Sequence, residues 1–326
     1  LLIPTFVLSL SIYAFVKKRN GTGILLGGVA IGGFAWVHFT VRDKVECAAV
    51  KALMYFAVGT GLMKALDIFS LRNSLPTWSA LTPKPGDALL SFLLLTELRY
   101  ESFTPNAIRL PPLPSHPFPS SLRLRQTFYS ETVQLPLHIL LFTFLQFLPQ
   151  HPVIKAYGIL LTIYNIWTAL QLVLRKKTSP PLFGGPIYLA ESLTTFWTET
   201  WHNAFASPCL NLAYTPTSSV LRRLGFPKAL SRSAGVVSGF ALMAIFHVYA
   251  LSPLLNSEGM WRIGVFFTAN GVFTVLEVAI WGRKRHWARG VIAWIVESWL
   301  ATWTVVAIPV ADGVLGANWR ALCKPG

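Results

Sequence analysis

The chain has 326 residues, of which 53% are hydrophobic and only 13% are charged, and its mean hydropathy is +0.51. Soluble domains carry about 25% charged residues, so this composition excludes an ordinary soluble domain. The net charge of +15 is typical of a nucleic-acid-binding protein or of a membrane protein whose basic loops face anionic lipid. Because the apolar residues form runs of about 18 or more, the second explanation is favoured, and nucleic acid is not expected as a partner.

The apolar runs predict about eight transmembrane helices. They lie near residues 1–16, 21–40, 49–69, 136–149, 153–174, 229–255, 262–281 and 287–311. The stretch 87–98 is too short to cross unaided, so we expect it to be interfacial or re-entrant. No internal repeat supports an inverted-repeat transporter. The predicted fold is all-α, a polytopic transmembrane helical bundle that forms a single domain over residues 1–326.

Two long polar segments, 99–135 and 175–228, interrupt the predicted spans. The second begins and ends with cations, which place it on the cytoplasmic side by the positive-inside rule: Arg175, Lys176, Lys177, Arg222, Arg223 and Lys228. Between them, residues 190–205 read AESLTTFWTETWHNAF. This stretch is too polar to cross a bilayer but rich in aromatic residues, which predicts a helix lying at the interface.

His247 is the candidate for chemistry that the residues themselves suggest. It lies in ALMAIFHVYALSPLL, well inside a predicted span, and an ionisable residue at membrane depth is costly unless it has a function or a partner. It is either a general base or a structural histidine bonded across the bundle. Four other histidines lie in predicted loops or at span edges and are expected to be solvated bystanders: His116, His138, His151 and His286.

Other polar residues have weaker signals. Asn270 and Glu277 are seven residues apart and share one helical face, and like Glu297 they are more often packing residues than catalytic ones. The HxxxxD pattern from His38 to Asp43 straddles the end of a span and receives little weight. The three cysteines show neither a disulfide framework nor metal-ligand spacing, and no metal is expected.

Residues 181–281 resemble the wax-synthase-like branch of the membrane-bound O-acyltransferases. That branch has PPLFG, then SL-x-x-FWG-x-x-WH, and later a span that ends in its catalytic histidine. The matching residues are Pro180, Pro181, Leu182, Phe183, Gly184, Ser192, Leu193, Phe196, Trp197, Trp201 and His202, and FALMAIFH ends at His247. FFTANGVFTVLE at 266–277 resembles a further family motif. The chain departs from the family at Thr198, at Glu199-Thr200 and at Met243-Ala244, where the family has Ser-Gly.

The resemblance implies a bundle of the membrane-bound O-acyltransferase type and acyl transfer from acyl-CoA to a hydroxyl. His247 would be the general base, and His202 or Asn203 would polarise the carbonyl, supported by Trp197 and Trp201. Asn270 or Glu277 would fix the His247 tautomer. The cations Arg175, Lys176, Lys177, Arg222 and Arg223 would attract the phosphates of acyl-CoA.

The sequences of these motifs resemble those of fungal acetyltransferases that act on secondary metabolites more than those of the rest of the branch. We therefore expect acetyl-CoA as co-substrate, a terpenoid-type alcohol as acceptor, no bound cofactor, membrane lipids as partners and the endoplasmic reticulum as the location. The alternatives are a long-chain fatty alcohol acyltransferase that makes wax esters and, in another class, a proton-coupled transporter that uses His247 and Glu277.

Overall fold

The structure is a computed structural model that describes residues 1–80, 83–106, 130–149, 151–174, 182–183, 190–282, 286–308 and 323. Helices make up most of these residues. The strands found there are a two-residue antiparallel pair, with Thr77 opposite Thr104 and Trp78 opposite Phe103. The prediction of a helical protein is therefore confirmed.

Ten helices of nine or more residues are present in the described ranges. In chain order they are α1 Leu2–Val16, α2 Asn20–Lys44, α3 Ala48–Leu71, α4 Asp87–Thr96, α5 Glu131–Leu145, α6 Pro152–Leu174, α7 Thr215–Arg223, α8 Lys228–Leu251, α9 Ser257–Trp281 and α10 Trp287–Val305. Each of the eight predicted spans coincides with one of these helices.

Five of the eight helices, α2, α3, α6, α8 and α9, are long and apolar enough to cross a membrane. α1 and α5 are apolar but have only 15 residues each, and α10 has 19. A helix rises 1.5 Å per residue, so about 20 residues are needed for a hydrocarbon core of about 30 Å. The chain is thus a multi-pass helical membrane protein by composition and helix length, and the count of eight spans stays a prediction.

The predicted interfacial helix at 190–205 is not one continuous helix. A short α-helical turn, Leu193–Thr195, continues into a π-helical turn, Phe196–Thr200. The backbone of Trp201 is extended, and helical structure resumes only at Ala206. Ring packing and long-range hydrogen bonds, described below, override the helical preference that the sequence suggested. Whether this segment lies at a membrane interface stays a prediction.

The chain divides into two compact units. The first contains Leu1–Ile108, Ala204–Val272 and Leu322–Gly326, and the second contains Arg109–Asn203 and Phe273–Ala321. α9 begins in the first unit and ends in the second. The prediction of a single domain over the whole chain stays a prediction.

α1 to α4 pack together in the first unit around a core that includes Leu8, Ile12, Phe34, Val58 and Ile68. α4, expected to be interfacial or re-entrant, packs on α1 and buries Leu90, Leu93 and Leu94. α8 packs on α3 where a glycine, Gly59, faces Phe246 and Tyr249. In the second unit, α6 packs against both α5 and α10.

A buried carboxylate, Asp67 of α3, joins three parts of the first unit. Its oxygens accept hydrogen bonds from the Tyr100 hydroxyl at 2.7 Å, the Ser207 hydroxyl at 2.9 Å and the Asn211 amide at 2.8 Å. Lys64, also buried, donates to the Glu97 carbonyl at 2.8 Å. Burying these groups is tolerable because each is hydrogen-bonded.

The cysteine spacing gave no sign of a disulfide, but Cys47 and Cys323 are bonded to each other. They are 276 residues apart in sequence, so the expectation of no disulfide was wrong. Pairing across that distance is decided by the fold and is invisible in local spacing. Cys209 is a free thiol.

Candidate functional site

His247 lies near the end of α8, and its own helix orients the ring. Nδ1 lies 2.8 Å from the backbone carbonyl oxygen of Met243, one turn earlier. A carbonyl oxygen can only accept a hydrogen bond, so Nδ1 holds the proton in this arrangement. Nε2 of the neutral ring is then the proton acceptor. The side chain is partly exposed, so a reacting group can approach it.

Two phenylalanines pack on the His247 ring. Phe267 of α9 stacks on it with 4.2 Å between ring centroids, and Phe246 meets it edge-on at 5.2 Å. α9 lies close to α8 because Gly271 faces Phe240, where an added Cβ atom would be 2.9 Å from the Phe240 Cβ. The ring is thereby fixed on one face by a side chain of the neighbouring helix.

The tautomer of His247 is set differently from our expectation. The ring's hydrogen bond goes to Met243, whereas we predicted Asn270 or Glu277 as its partner. Asn270 is fully buried and donates to the Phe266 carbonyl at 3.1 Å in its own helix. The departure from the family at Met243-Ala244 does not remove this hydrogen bond, because any residue at position 243 supplies the same backbone carbonyl.

Glu277 binds the turn that precedes the FWTETWH segment, residues 196–202, in the second unit. Its carboxylate accepts hydrogen bonds from the backbone N–H groups of Leu193 and Thr194, both at 3.0 Å, and from the Thr194 hydroxyl at 2.8 Å. Arg289 of α10 forms an ion pair with it at 3.1 Å, and both side chains are only 4% exposed. Ser192 caps the same turn by accepting from the Thr195 N–H. A carboxylate at a helix start satisfies amides that have no partner within the helix.

Trp197 provides a second attachment of this segment. Its indole N–H donates to Oε1 of Glu297 in α10 at 2.8 Å. The buried Phe196 stacks on Trp201 with 5.7 Å between ring centroids. The aromatic residues that suggested an interfacial helix therefore belong to a packed cluster whose polar atoms bind α9 and α10.

His202 follows this cluster and lies among aromatic rings. Its ring centroid is 5.1 Å from that of Trp201, 5.7 Å from Phe183 and 5.9 Å from Trp167. Phe183, one of the residues of the PPLFG motif, is buried. His202 and the following Asn203 are both partly exposed. The structure thus brings Trp197, Trp201 and His202 into one environment of the second unit.

His138 was expected to be a solvated bystander, and this prediction was wrong. It is fully buried on α5 and meets the ring of Tyr164 at 4.0 Å, while Tyr164 in turn packs on Phe183 at 4.5 Å. Glu131, Gln134 and His138 recur at helical spacing and are all buried. That periodicity of polar residues in an apolar helix was the signal in the sequence that could have identified this face.

α5 and α6 each bind the PPLFG motif, through Glu131 of α5 and Gln171 of α6. The Leu182 N–H donates to Oε1 of Gln171 at 2.7 Å and lies 3.4 Å from Oε1 of Glu131.

His286, in contrast to His138, is exposed and caps α10 by accepting from the Ala288 N–H. His38 contacts the Tyr249 hydroxyl at 3.1 Å, whereas Asp43 pairs with Arg42, so His38 and Asp43 have different partners.

Several predicted site residues lie outside the described part of the chain. These are the cations Arg175, Lys176 and Lys177 and three residues of the PPLFG stretch, Pro180, Pro181 and Gly184. His116, which was predicted to be a solvated bystander, also lies outside the described residues. Arg222 and Arg223 are described and lie exposed at the end of α7. Of the two predicted catalytic histidines, His247 belongs to the first unit and His202 to the second.

Comparison with known proteins finds similarity over the part of the chain that contains both histidines. Residues 179–269 match the sequence model of the Membrane bound O-acyl transferase family. This is less than a third of the chain, and it overlaps the predicted region 181–281. No solved structure matches the chain.

Relatives with curated descriptions come from Arabidopsis thaliana. Probable long-chain-alcohol O-fatty-acyltransferase 1 is 26% identical over 33% of this chain and 31% of its own length. Probable long-chain-alcohol O-fatty-acyltransferase 7 is 29% identical over 42% of this chain and 40% of its own. Probable long-chain-alcohol O-fatty-acyltransferase 9 is 30% identical over 31% of this chain and 29% of its own length. The chain therefore spans less than half the length of these relatives.

Proposed function

We propose that the protein is a membrane O-acyltransferase that moves an acyl group from acyl-CoA to the hydroxyl of a lipophilic alcohol. The observation that supports this most is the arrangement of His247. Its Nδ1 proton is bound by the Met243 carbonyl, so Nε2 is the atom that accepts a proton. The family match over residues 179–269 and the names of the similar plant proteins support the same reaction class.

The proposed reaction needs a general base and a hydrogen-bond donor that stabilises the negative charge developing on the thioester oxygen. Nε2 of His247 removes the hydroxyl proton as the alcohol oxygen attacks the thioester carbonyl carbon. The C–O bond forms, the tetrahedral intermediate collapses, and the C–S bond breaks. The imidazolium returns its proton to the leaving thiolate, which gives an ester and free CoA and restores the neutral ring.

The roles of His202 and Asn203 stay predictions. Either side chain would donate a hydrogen bond to the thioester carbonyl, where negative charge develops. The packed rings of Trp201, Phe183 and Trp167 around His202 support a fixed orientation of its imidazole, which such a donor needs. Trp197 and Glu277 would support this site by holding the segment that precedes it.

The acyl chain and the acceptor are the open part of the proposal. The sequence of the motifs favours acetyl transfer to a terpenoid-type alcohol, whereas the names of the plant relatives favour a fatty acyl group and a long-chain alcohol. Acyl-CoA is the proposed co-substrate in both cases, with Arg175, Lys176 and Lys177 proposed for its phosphates. The endoplasmic reticulum stays the proposed location.

The test is ester formation in membranes that contain the expressed protein. Radiolabelled acetyl-CoA and palmitoyl-CoA are each supplied with a C16 alcohol or with a terpenoid alcohol, and lipid extracts are separated. We expect His247→Ala to lower ester formation by about 10²- to 10⁴-fold, the usual contribution of general base catalysis. The matched control is His151→Ala, which removes an exposed imidazole and should leave the rate unchanged.

Two results would count against the proposal. Ester formation by His247→Ala at the rate of the control would remove His247 from the chemistry. Absence of ester from the unmodified protein, together with pH-dependent flux of a solute, would favour the transporter alternative.

A further inference from the structure

The turn between α7 and α8 combines basic and apolar side chains on one exposed surface. Four cations and three apolar residues form it, and we refer to them as the basic–apolar turn: Arg222, Arg223, Leu224, Phe226, Lys228, Leu230 and Arg232. All seven side chains are exposed. Leu224 is 68%, Phe226 44% and Leu230 51% exposed, which are large values for apolar residues that flank a tight turn.

The turn has a defined backbone conformation. The Phe226 N–H donates to the Leu221 carbonyl at 3.0 Å, and the Gly225 N–H donates to the Arg222 carbonyl at 3.2 Å. Gly225 has a φ of +84°, the left-handed conformation that glycine adopts without steric cost. Together these are the two hydrogen bonds and the αL residue of a Schellman motif. The side chains of the turn are therefore presented by a fixed backbone.

The turn and the helix before it contain no acidic side chain. Residues 215–232 contain no Asp or Glu, and within the described part of the chain none of the four cations forms an ion pair. Every residue from 222 to 230 is exposed. The surface therefore presents several positive charges on exposed side chains that are close together in sequence.

The position of the turn indicates what it contacts. α8 begins at Lys228 and is one of the helices long and apolar enough to cross the membrane, so its first residues lie at the level of the lipid headgroups. Phosphates there neutralise Lys and Arg side chains, while the acyl boundary accepts the ring of Phe226 and the side chain of Leu224. Water alone would leave these apolar groups exposed at a free-energy cost.

We propose that the basic–apolar turn is a binding surface for anionic phospholipid headgroups. Arg222, Arg223, Lys228 and Arg232 bind headgroup phosphates and carboxylates, and Phe226 and Leu224 insert beneath them. This assigns Arg222 and Arg223 to lipid instead of the acyl-CoA phosphates for which the sequence suggested them. A CoA nucleotide usually binds in a concave site, whereas these side chains are exposed. The proposal does not depend on the acyltransferase activity.

The test measures lipid binding directly. The full-length protein is purified in neutral detergent and titrated with phosphatidylserine or phosphatidylcholine, and bound lipids are counted by native mass spectrometry. The unmodified protein should prefer phosphatidylserine. Changing Arg222, Arg223, Lys228 and Arg232 together to Gln should lower that preference by at least tenfold, because each cation near an anionic surface contributes about fivefold. Phe226→Ser should weaken the binding of both lipids.

Matched variants distinguish the effect of the cations at this turn from the effect of the protein's net charge and from the effect of misfolding. Lys18, Arg19, Lys44 and Lys84, which are exposed elsewhere, changed together to Gln remove the same charge, and they should lower the preference for phosphatidylserine less than the change at the turn does. Arg222→Lys with Arg223→Lys should also keep it, since the charge is conserved. Soluble glycerophosphoserine should compete poorly with the lipid, because it lacks the acyl chains that accompany Phe226 into the bilayer.

Three results would overturn the proposal. One is an unchanged preference for phosphatidylserine in the fourfold Gln variant of the turn. Another is an equal loss of preference in the charge-matched variant. The third is displacement of bound phosphatidylserine by free CoA, which would return Arg222 and Arg223 to the acyl donor. None of these readouts requires ester formation, so failure of the acyltransferase proposal would leave the lipid result interpretable.

Discussion

The ring of His247 donates its hydrogen bond to a carbonyl four residues earlier in its own helix. The segment that leads to His202 is instead held by Glu277 and Glu297, which come 84 and 100 residues after their partners in the chain. The first arrangement uses a backbone group that exists in every helix. The second depends on buried carboxylates whose removal leaves donors and a cation without their partner. The two histidine environments should therefore differ sharply in their response to substitution.

The largest difference is expected at the ion pair of Glu277 with Arg289. Glu277→Ala leaves a buried guanidinium without its carboxylate and two backbone amides without their acceptor, which should cost about 3–5 kcal/mol of stability. His247→Ala loses one hydrogen bond, worth about 1 kcal/mol. Thermal unfolding of the protein in nanodiscs measures both.

A double-mutant cycle distinguishes the ion pair from general packing. Glu277→Ala combined with Arg289→Met removes both charges and should recover part of the lost stability. Additive losses in the cycle, or equal losses from Glu277→Ala and His247→Ala, would show that the comparison between the two environments is wrong.

A smaller loss is expected at the indole of Trp197. Trp197→Phe keeps a ring in the cluster but removes the N–H that binds Glu297, which should cost about 1.5–3 kcal/mol, the usual contribution of a hydrogen bond to a charged group. Trp201→Phe is the matched control, since its contacts are ring packing with Phe196, Phe183 and His202. Unfolding midpoints of the two variants should therefore differ, and equal midpoints would remove the hydrogen bond from the explanation.

A substitution of Met243 tests whether the His247 environment tolerates a change of side chain when the backbone carbonyl is kept. Met243→Leu changes the side chain but keeps the carbonyl that binds Nδ1, and swaps of Met for Leu conserve volume. We expect kcat/KM for ester formation to stay within about twofold, by the same volume argument. A tenfold fall would mean that the Met243 side chain itself contributes to the site.

The smallest perturbation is chemical labelling of Cys209, which leaves the sequence intact. Burial, and secondly the charge of Asp67, raise the pKa of this thiol to about 12, so little thiolate exists at pH 8 and labelling should speed up as pH rises towards 12. Allowing for the higher nucleophilicity of a basic thiolate, iodoacetamide should react about a hundredfold more slowly than with an exposed thiol. Mass spectrometry follows the modification, and denaturation should restore the ordinary rate. Rapid labelling of the folded protein would show that the segment around Asp67 is open.

Much of the fold could be predicted because apolar run length is a local property. Each predicted span coincides with a helix, and five of these helices meet the length and hydropathy needed for crossing. The broken helix at residues 193–200 could not be predicted, because its geometry depends on Glu277 and Glu297, which are distant in sequence. The buried state of His138 was missed for a related reason: position near a span edge does not say which residues cover a side chain.

The sequence by itself determined the membrane class, the positions of the long helices and the candidacy of His247, because hydropathy and an ionisable residue inside an apolar run are readable from neighbouring residues. Only the tertiary structure decided which groups those polar residues bind. The Met243 carbonyl accepts the hydrogen bond of the His247 ring, Glu277 holds the turn at Leu193 and Thr194 that precedes the FWTETWH segment, and Cys47 pairs with Cys323. Buried polar groups must find partners wherever the packed chain supplies them, and that choice is made by the fold as a whole.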